Sequence, residues 1–485
     1  MNRPIRRVAV VVLLLLLALL VNVNWVQGFQ AASLAQRPDN QRVRVAEYSR
    51  ERGSILVGGE AVARSTPTDD ALKYLRRYPG GAEYAPVTGY YSILYGSTGI
   101  ERSQNASLAG TDSRLFVRRV VDLVQGVELS GASVELTLRT SVQNAAWQGL
   151  AGLKGAVVAL DPRTGAVLAL ASHPSFDPAT LSSHDAAATM RAWTALNADV
   201  NRPAANRAAR ETYPPGSTFK LVTASAALAT GRYQPATVVP APDRLKLPLT
   251  NTYLNNDAGE RCGSGGRTTL ANALKISCNT AFGQLGLTLG NRVIADEAKK
   301  FGFGEQILPE LNGVASVYSD NADRPQTASA AIGQFDDRAT VVQMASVAAT
   351  IANGGRRQEP YLVQRVLGPD LSTVSSHDAG QPRTVMSPQA AGQLTSMMEG
   401  VVTGGTGTAA QIRGVRVAGK TGTAQTGARN QGPTVAWFVA FAPADKPTVA
   451  VAVAVEDANL PAGTDAYGGR VAAPIARRVL QAALQ

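Results

Sequence analysis

Residues 213–220 read YPPGSTFK, in which Ser217 stands one helical turn ahead of Lys220. Proline and glycine keep the first four of these residues out of a helix, so the pattern predicts a helix that begins near the serine. Lys220 is the only charged residue between Thr212 and Gly231, and the residues around it are apolar enough for a helix that is buried all round. A buried ammonium is costly unless it is paired or has lost its proton. The segment therefore predicts a buried helix whose lysine has a chemical role.

The serine and the lysine together are a candidate catalytic pair. Positions i and i+3 share one face of a helix, so Lys220 can reach the Ser217 hydroxyl. A neutral lysine can activate serine without histidine, and the free amides at the start of the helix can donate to an oxyanion. The chain has three histidines, too few to favour a histidine-based triad or a His-rich metal site. The alternative is that Ser217 only caps the helix and Lys220 extends to solvent.

Strand-like runs flank this helical region in the sequence. Residues 156–160 and 166–170 surround a Pro/Gly turn, and residues 435–441 and 449–455 form a second such pair; both pairs predict hairpins. Between them lie alanine-rich stretches that we expect to be helical, namely 218–230, 270–289 and 341–352. Strands at both ends of a helical block predict one antiparallel sheet with an inserted helical region, an α+β fold.

The amino-acid composition limits the classes of protein to which the chain can belong and the partners that it is expected to bind. With 45% apolar and 17% charged residues among 485, the chain is expected to be a packed globular protein of about three domains. We divide it into an N-terminal segment (1–27), a mixed and irregular region (28–150) and the α+β domain (151–485). The net charge of +11 hints at anionic surroundings such as lipid headgroups or wall polymers. No basic patch with interleaved aromatic residues is present, so nucleic acid is not an expected partner.

The N-terminus has the pattern of a membrane anchor. Three arginines within the first seven residues precede an apolar run, 8–21, which extends to residue 26 as a stretch of 19 residues. This length is closer to a bilayer span than to the core of a signal peptide. We expect a single-pass, uncleaved signal-anchor with its arginines in the cytoplasm and the rest of the chain outside. A cleaved signal peptide is the alternative.

The two cysteines, Cys262 and Cys278, lie 16 residues apart, and no third cysteine exists. In an oxidising compartment they can form one disulfide, which would brace the segment around Cys278. Two unpaired thiols are the alternative. A metal site is not expected from two such ligands without a nearby histidine.

A second motif, Ser277-Cys278-Asn279, lies inside the predicted helix 270–289. Its serine can pass a proton, and its asparagine can bind an amide. The same Ser-x-Asn pattern occurs at Ser103-Gln104-Asn105 and at Ser319-Asp320-Asn321, which lies in a polar loop. We favour Ser277 over Ser319 because apolar helix surrounds it.

A third motif, Lys420-Thr421-Gly422-Thr423, follows the short alternating stretch 415–419. A lysine and small hydroxyl residues on an edge strand can bind a carboxylate, and the glycine lets a substrate approach the backbone. Residues 414–421 also fit the nucleotide-binding P-loop pattern. That alternative requires a strand before the first glycine and a helix that begins at Lys420, and the surrounding residues favour neither.

In this order, the three motifs are the signature of penicillin-binding proteins and serine β-lactamases, and the chain resembles a class B penicillin-binding protein over nearly its whole length. Further segments carry the resemblance: 52–55, 96–101, 160–162, 206–207, 331–334, 352–355, 437–438 and 473–474. One departure is at 56–59, Leu-Val-Gly-Gly, where an acidic residue is common. The resemblance implies a penicillin-binding or serine β-lactamase-like transpeptidase domain, with an antiparallel sheet flanked by helices and an all-helical subdomain. It also implies a smaller mixed N-terminal domain for docking.

The resemblance implies D,D-transpeptidation of peptidoglycan stem peptides through an acyl-enzyme. Ser217 would attack the penultimate D-Ala carbonyl and Lys220 would take its proton, while Ser277 protonates the leaving D-Ala amine and Lys420 tunes the local field. The backbone amides of Ser217 and Thr423 would form the oxyanion hole. The residues implied in substrate binding are Asn279 for the donor amide and Thr421, Gly422 and Thr423 for the terminal carboxylate. No metal or cofactor is implied, β-lactams would acylate Ser217, and a polytopic glycosyltransferase is an implied membrane partner.

Hydrolysis remains an alternative, as in a D,D-carboxypeptidase or a β-lactamase. Class A β-lactamases activate water with a glutamate in a Glu-x-x-Leu-Asn segment, and the only similar string here, 308–312, has Leu308 at that position. The missing base favours slow deacylation. A non-catalytic scaffold or β-lactam sensor is a further alternative, against which the intact Ser217, Lys220 and Lys420 argue.

Overall fold

The computed structural model of the protein describes residues 2–30, 47–115, 130–425, 434–456 and 468–485. Its first element is a helix, α1 (Asn2–Trp25), which continues as a turn of π-helix to Gln30. By length and composition this helix is able to cross a membrane, with a mean hydropathy of 2.6 and no buried residue in its apolar window. It is a candidate single-pass membrane anchor.

Thirteen further α-helices and nineteen strands follow in the described part of the chain, joined by loops and short 3-10 turns. The helices are α2 (Gly81–Thr88), α3 (Gly99–Ser103), α4 (Asn105–Leu108), α5 (Thr140–Gly149), α6 (Ala186–Ala198), α7 (Lys220–Ala229), α8 (Leu270–Lys275), α9 (Asn279–Leu289), α10 (Asn291–Lys300), α11 (Arg324–Ala330), α12 (Val341–Ala352), α13 (Pro388–Gly404) and α14 (Ala472–Ala483). The strands are β1 (Ile55–Val57), β2 (Glu60–Pro67), β3 (Tyr74–Arg77), β4 (Tyr91–Ser92), β5 (Gly96–Ser97), β6 (Ser133–Leu136), β7 (Lys154–Leu160), β8 (Val167–His173), β9 (Val238–Pro240), β10 (Arg244–Lys246), β11 (Tyr253–Asn255), β12 (Arg267–Thr269), β13 (Arg356–Arg357), β14 (Val363–Leu367), β15 (Thr373–Ser376), β16 (Arg383–Thr384), β17 (Ala418–Ala424), β18 (Val435–Ala442) and β19 (Val449–Glu456).

A five-stranded antiparallel sheet with the order β17-β18-β19-β7-β8 is the centre of the larger domain. Both predicted hairpins, β7–β8 and β18–β19, are present and lie side by side in it. Helix α12 packs against β7, β18 and β19, while α5 and α14 also pack on the sheet and on each other. All eight residues of β18 are buried, because helices cover the strands. The predicted α+β fold with one antiparallel sheet is confirmed.

The helices between β8 and β17 form the inserted helical region. Within it, α7 packs against α9, α10 and α13, and every residue from Lys220 to Leu228 is buried. The apolar composition of this segment therefore predicted its environment correctly. The helix begins after a turn of 3-10 helix, Gly216–Phe219.

A second, six-stranded sheet has the order β15-β14-β6-β1-β2-β3. Its strands β14 and β15 come from residues 363–376, whereas helix α5, before residue 150, packs on the five-stranded sheet. The expected division at residue 150 therefore does not coincide with the separation of the two sheets. Beside the six-stranded sheet, the fully buried Glu101 accepts hydrogen bonds from the Nε atoms of Arg52 and Arg76, each at 2.6 Å.

Candidate active site

Ser217 is held between the edge strand β17 and the loop that contains Gly333. The Gly216 amide donates to the Gly333 carbonyl at 2.9 Å, and the indole of Trp437 donates to the Pro214 carbonyl at 2.9 Å. Ser217 is 8% exposed, and the caps of both helical turns in this segment lack a side-chain hydrogen bond. The alternative in which Ser217 serves only as a helix cap is therefore wrong.

Lys220 points into the protein, not to solvent. Its side chain is fully buried, and Nζ donates to the Ser277 carbonyl at 2.6 Å and to Asn279 Oδ1 at 2.7 Å. Nζ also lies 3.2 Å from Ser277 Oγ, whereas no hydrogen bond joins it to the Ser217 hydroxyl one turn earlier. Burial, and then the charge of Lys420, lower the pKa of Lys220 well below its ordinary value. A lysine in this position can accept a proton.

Ser277 lies in a break between helices α8 and α9, so the predicted continuous helix over 270–289 is wrong. Its φ is +63°, an unusual conformation for a residue other than glycine, and its carbonyl is directed at Lys220. Helix α9 starts after the break, with Cys278 Sγ accepting from the Ala281 amide at 3.4 Å. Cys278 is also joined to Cys262 by a disulfide. Lys220 and Cys262 are distant in sequence, and helical periodicity does not register contacts of this kind.

Lys420 completes the group from the opposite side. It lies on β17, an edge strand of the sheet, and its fully buried Nζ donates to Ser277 Oγ at 2.9 Å and to the Thr421 carbonyl at 2.8 Å. Burial lowers its pKa from 10.5 to about 7. Because Lys420 and Thr421 belong to a strand, the P-loop alternative, which needs a helix there, is wrong.

The rest of the third motif shapes the edge of the site. Thr421 Oγ1 lies 2.6 Å from the hydroxyl of Thr406, and Thr423 is half-buried beside it. A Cβ on Gly422 would lie 2.9 Å from Thr218 Cγ2 and 3.2 Å from the Pro215 carbonyl oxygen. Gly422 therefore permits close approach of the chain's own serine-bearing segment, in addition to any substrate.

The competing Ser-x-Asn motifs lie elsewhere. Ser319 receives a hydrogen bond on its carbonyl from Asn291, and its amide donates to the buried Asp337; Ser103 is the last residue of α3, in the N-terminal region. Neither contacts Lys220 or Lys420. The glutamate of the 308–312 string, Glu310, accepts from the Leu362 amide, which is consistent with a coincidental match.

Sequence reasoning missed residues that lie around Asn279. Its Nδ2 donates to the Asn255 carbonyl at 3.1 Å and to Asp257 Oδ1 at 3.2 Å. Asp257 also opposes the lowering of the pKa of Lys220 and of Lys420. Cys262 was the signal that could have identified these residues, because a disulfide to Cys278 brings the residues just before Cys262 next to the second motif.

Two family models match the chain. The penicillin binding protein transpeptidase domain matches residues 155–481, and the penicillin binding protein A dimerisation domain matches residues 52–134. The first match alone covers more than half of the chain and contains all three motifs.

Full-length relatives and solved structures agree with these matches. Peptidoglycan D,D-transpeptidase PbpA of Mycolicibacterium smegmatis is 45% identical over 100% of this chain and 99% of its own length. The protein of the same name from Mycobacterium tuberculosis is 44% identical, with the same coverage. The ceftriaxone acyl-enzyme complex of penicillin-binding protein A from M. tuberculosis matches with a TM-score of 0.88 and 42% identity, over 91% of this chain and 100% of that one. The chain belongs to the penicillin-binding protein transpeptidase family, within its class B members.

Proposed function

We propose that the protein is a peptidoglycan D,D-transpeptidase that cross-links stem peptides through an acyl-enzyme on Ser217. The observation that carries the proposal is the position of Ser277 Oγ, within 2.9 Å of Lys420 Nζ and 3.2 Å of Lys220 Nζ, beside the serine-bearing turn. Relatives of the same length are named peptidoglycan D,D-transpeptidases. A related protein has been solved as acyl-enzymes with ceftriaxone, imipenem and penicillin G, so we expect β-lactams to acylate Ser217.

The hydrogen bonds around the two lysines suit one neutral and one protonated amine. A neutral Lys220 has two N–H groups, which the Ser277 carbonyl and Asn279 Oδ1 accept, and one lone pair, to which the Ser277 hydroxyl can donate across 3.2 Å. A protonated Lys420 donates to Ser277 Oγ and to the Thr421 carbonyl. This distribution gives each of these contacts one donor and one acceptor. It leaves Lys220 as the base and Lys420 as the positive charge.

Acylation then proceeds by general base catalysis. The Ser217 oxygen forms a bond to the penultimate D-Ala carbonyl carbon, and its proton passes to Lys220. The C–N bond to the terminal D-Ala breaks, and the leaving amine receives the proton through Ser277. In the second step an acceptor amine attacks the ester, which forms the new peptide bond and returns the proton to Ser217. The amides of Ser217 and Thr423 stabilise the oxyanion in both steps.

The donor peptide would bind along the outer edge of β17. An edge strand offers unpaired backbone groups to an extended peptide, and Thr421, Gly422 and Thr423 would face its terminal carboxylate. Asn279 would bind the donor amide. Both of its Nδ2 hydrogens are already used by Asn255 and Asp257, so donor binding exchanges one of these bonds for a bond to substrate.

We further propose that α1 anchors the protein in the cell membrane with the catalytic domain outside the cytoplasm. The arginines at its start favour the cytoplasmic side, and the Cys262–Cys278 disulfide suits an oxidising compartment. Residues 28–150 would serve as a docking domain, whose sheet β14 and β15 complete, with a polytopic glycosyltransferase as partner, and residues 151–485 would provide the rest of the transpeptidase domain. Tagging of each terminus followed by protease protection in intact cells tests the orientation.

The catalytic proposal is tested by labelling with a fluorescent penicillin. Full-length protein in detergent is expected to become covalently labelled, and Ser217→Ala is expected to remain unlabelled. An unlabelled wild type, or a variant labelled equally, would overturn the assignment. Release of the label over hours then separates transfer from hydrolysis, because rapid release indicates a β-lactamase. Incubation with a D-Ala-D-Ala donor, with and without an acceptor amine, separates cross-linking from carboxypeptidase activity.

A further inference from the structure

The Asn279 amide connects Lys220 to a carboxylate that belongs to none of the three motifs. Its Oδ1 accepts from Lys220 Nζ at 2.7 Å, and its Nδ2 donates to Asp257 Oδ1 at 3.2 Å. In the opposite orientation, Nδ2 would face the lysine donor and Oδ1 would face two acceptors, Asp257 and the Asn255 carbonyl. The carboxylate and the carbonyl therefore fix which end of the amide meets the lysine.

The backbone places Asp257, while its side chain is exposed to solvent. The preceding residue, Asn256, is 8% exposed; it accepts from the Thr280 amide at 3.0 Å and donates to the Glu260 carbonyl at 3.0 Å. Shortly after it, Cys262 is bonded to Cys278. This short loop is thus tied to the start of α9 at two points. The loop therefore holds the Asp257 carboxylate beside Asn279, although this carboxylate is exposed to solvent.

Charge gives Asp257 a second effect. Lys220 and Lys420 are both fully buried and repel one another, since the charge of Lys420 lowers the pKa of Lys220. Asp257 acts on both lysines in the opposite direction. The Asp257 carboxylate favours a proton held on the pair Lys220 and Lys420, and loss of the carboxylate favours release of that proton.

Two other charged groups on the helices near the lysines, Lys275 and Glu297, are directed elsewhere. Lys275, at the end of α8, has its Nζ 3.5 Å from the position that a Cβ on Gly404 would occupy. Glu297, on α10, is bonded to Ser225 and to Lys300. Neither is bonded to Lys220 or Lys420.

We propose that Asp257 is a positioning residue of this active site, whose carboxylate orients the Asn279 amide and retains one proton on the pair Lys220 and Lys420. The inference rests on the proposed acyl-transfer function. In this proposal the solvent-exposed carboxylate of Asp257 sets the balance between the neutral form of Lys220 and the charged form of Lys420. Asp257 does not itself touch the reacting atoms; it acts through Asn279 and through its field.

The test is the pH dependence of the second-order rate constant for acylation by penicillin G, measured on the full-length protein at fixed ionic strength. In Asp257→Asn the acceptor oxygen is kept and the charge is lost, so both limbs of the profile are expected to move to lower pH. The ratio of variant to wild-type rates should exceed one at the acidic end and fall below one at the basic end. Asp257→Glu keeps the charge and should restore the wild-type profile.

The matched control is Asp243→Asn, which removes an exposed carboxylate that is paired with Arg261 at 3.1 Å and is not bonded to the active-site group. Its profile should coincide with that of the wild type. A profile of Asp257→Asn that coincides with the wild type, or an equal shift in Asp243→Asn, would overturn the proposal. A uniform loss of rate at every pH would also do so, because it would indicate a purely structural role. Failure of the proposed function is distinct, since then the wild type itself would not be acylated at Ser217.

Discussion

The Nζ of Lys420 lies 2.9 Å from the Oγ of Ser277, although the two residues are 143 positions apart in the chain. One comes from an edge strand and the other from a break between two helices, so the contact exists only in the folded protein. It places the Lys420 ammonium beside the Ser277 hydroxyl, which would carry a proton to the leaving group. The consequences of this arrangement can be measured separately for activity and for stability.

Lys420→Met is expected to abolish penicillin acylation and to stabilise the protein. Burial penalises the charged lysine, whose pKa falls from 10.5 to about 7, and methionine fills similar space without charge. The stabilisation should be fully present below pH 7 and should vanish as pH rises to the ordinary lysine pKa, since the unfolded lysine holds its proton until then. We expect Tm to rise by about 2–5 °C at pH 7 in differential scanning fluorimetry. Lys299→Met, at an exposed lysine, should change neither property; a lower Tm in Lys420→Met would contradict the account.

Ser277→Ala is expected to slow acylation by about 100-fold, the lower range for loss of a proton-transfer group. The alanine leaves the backbone carbonyl that binds Lys220, so the fold should be kept. Ser319→Ala removes the hydroxyl of the competing motif and should have no effect, because Ser319 contacts neither lysine. Stopped-flow measurement of acylation compares the two. The opposite ranking would move the proton-transfer role to Ser319.

Much of the fold was predictable because its signals are local. The two hairpins and the buried helix α7 follow from alternation, turn residues and an apolar segment with one charge. Ser277 was placed in a helix because helical periodicity does not register its contact with Lys220 or the neighbouring disulfide, which both involve residues distant in sequence. Asp257 has no local pattern at all; its proposed role follows only from the contact between its loop and Asn279. For the same reason, no pattern near β14 predicts that it completes the sheet of the N-terminal region.

Gly333→Ala is expected to disrupt the turn that carries Ser217. A Cβ there would lie 2.1 Å from the Gly216 carbonyl oxygen, and the φ of Gly333 is +73°. Gly354→Ala is the matched control, because Gly354 has a φ of +64° and open space around it. The control should lose only about 1–2 kcal/mol of stability, the usual cost of this backbone conformation, and keep its acylation rate. Gly333→Ala should lose more stability and most of its acylation; equal effects in both variants would show that the contact with Gly216 is unimportant.

The disulfide is expected to hold the loop of Asp257 in place, and reduction tests this directly. Intact mass should rise by two hydrogen atoms on reduction under denaturing conditions, and an unchanged mass would contradict the bridge. In Cys262→Ser/Cys278→Ser the serine at 278 can still cap α9 in place of Cys278 Sγ, so the variant isolates the loss of the bond. Because the cysteines are 16 positions apart, the loss is expected to cost about 3 kcal/mol of unfolding free energy, measured by urea denaturation. Acylation should slow in the double variant and in reduced wild type alike, whereas reductant should not affect the double variant; an unaltered rate in both would show that the loop is held without the bridge.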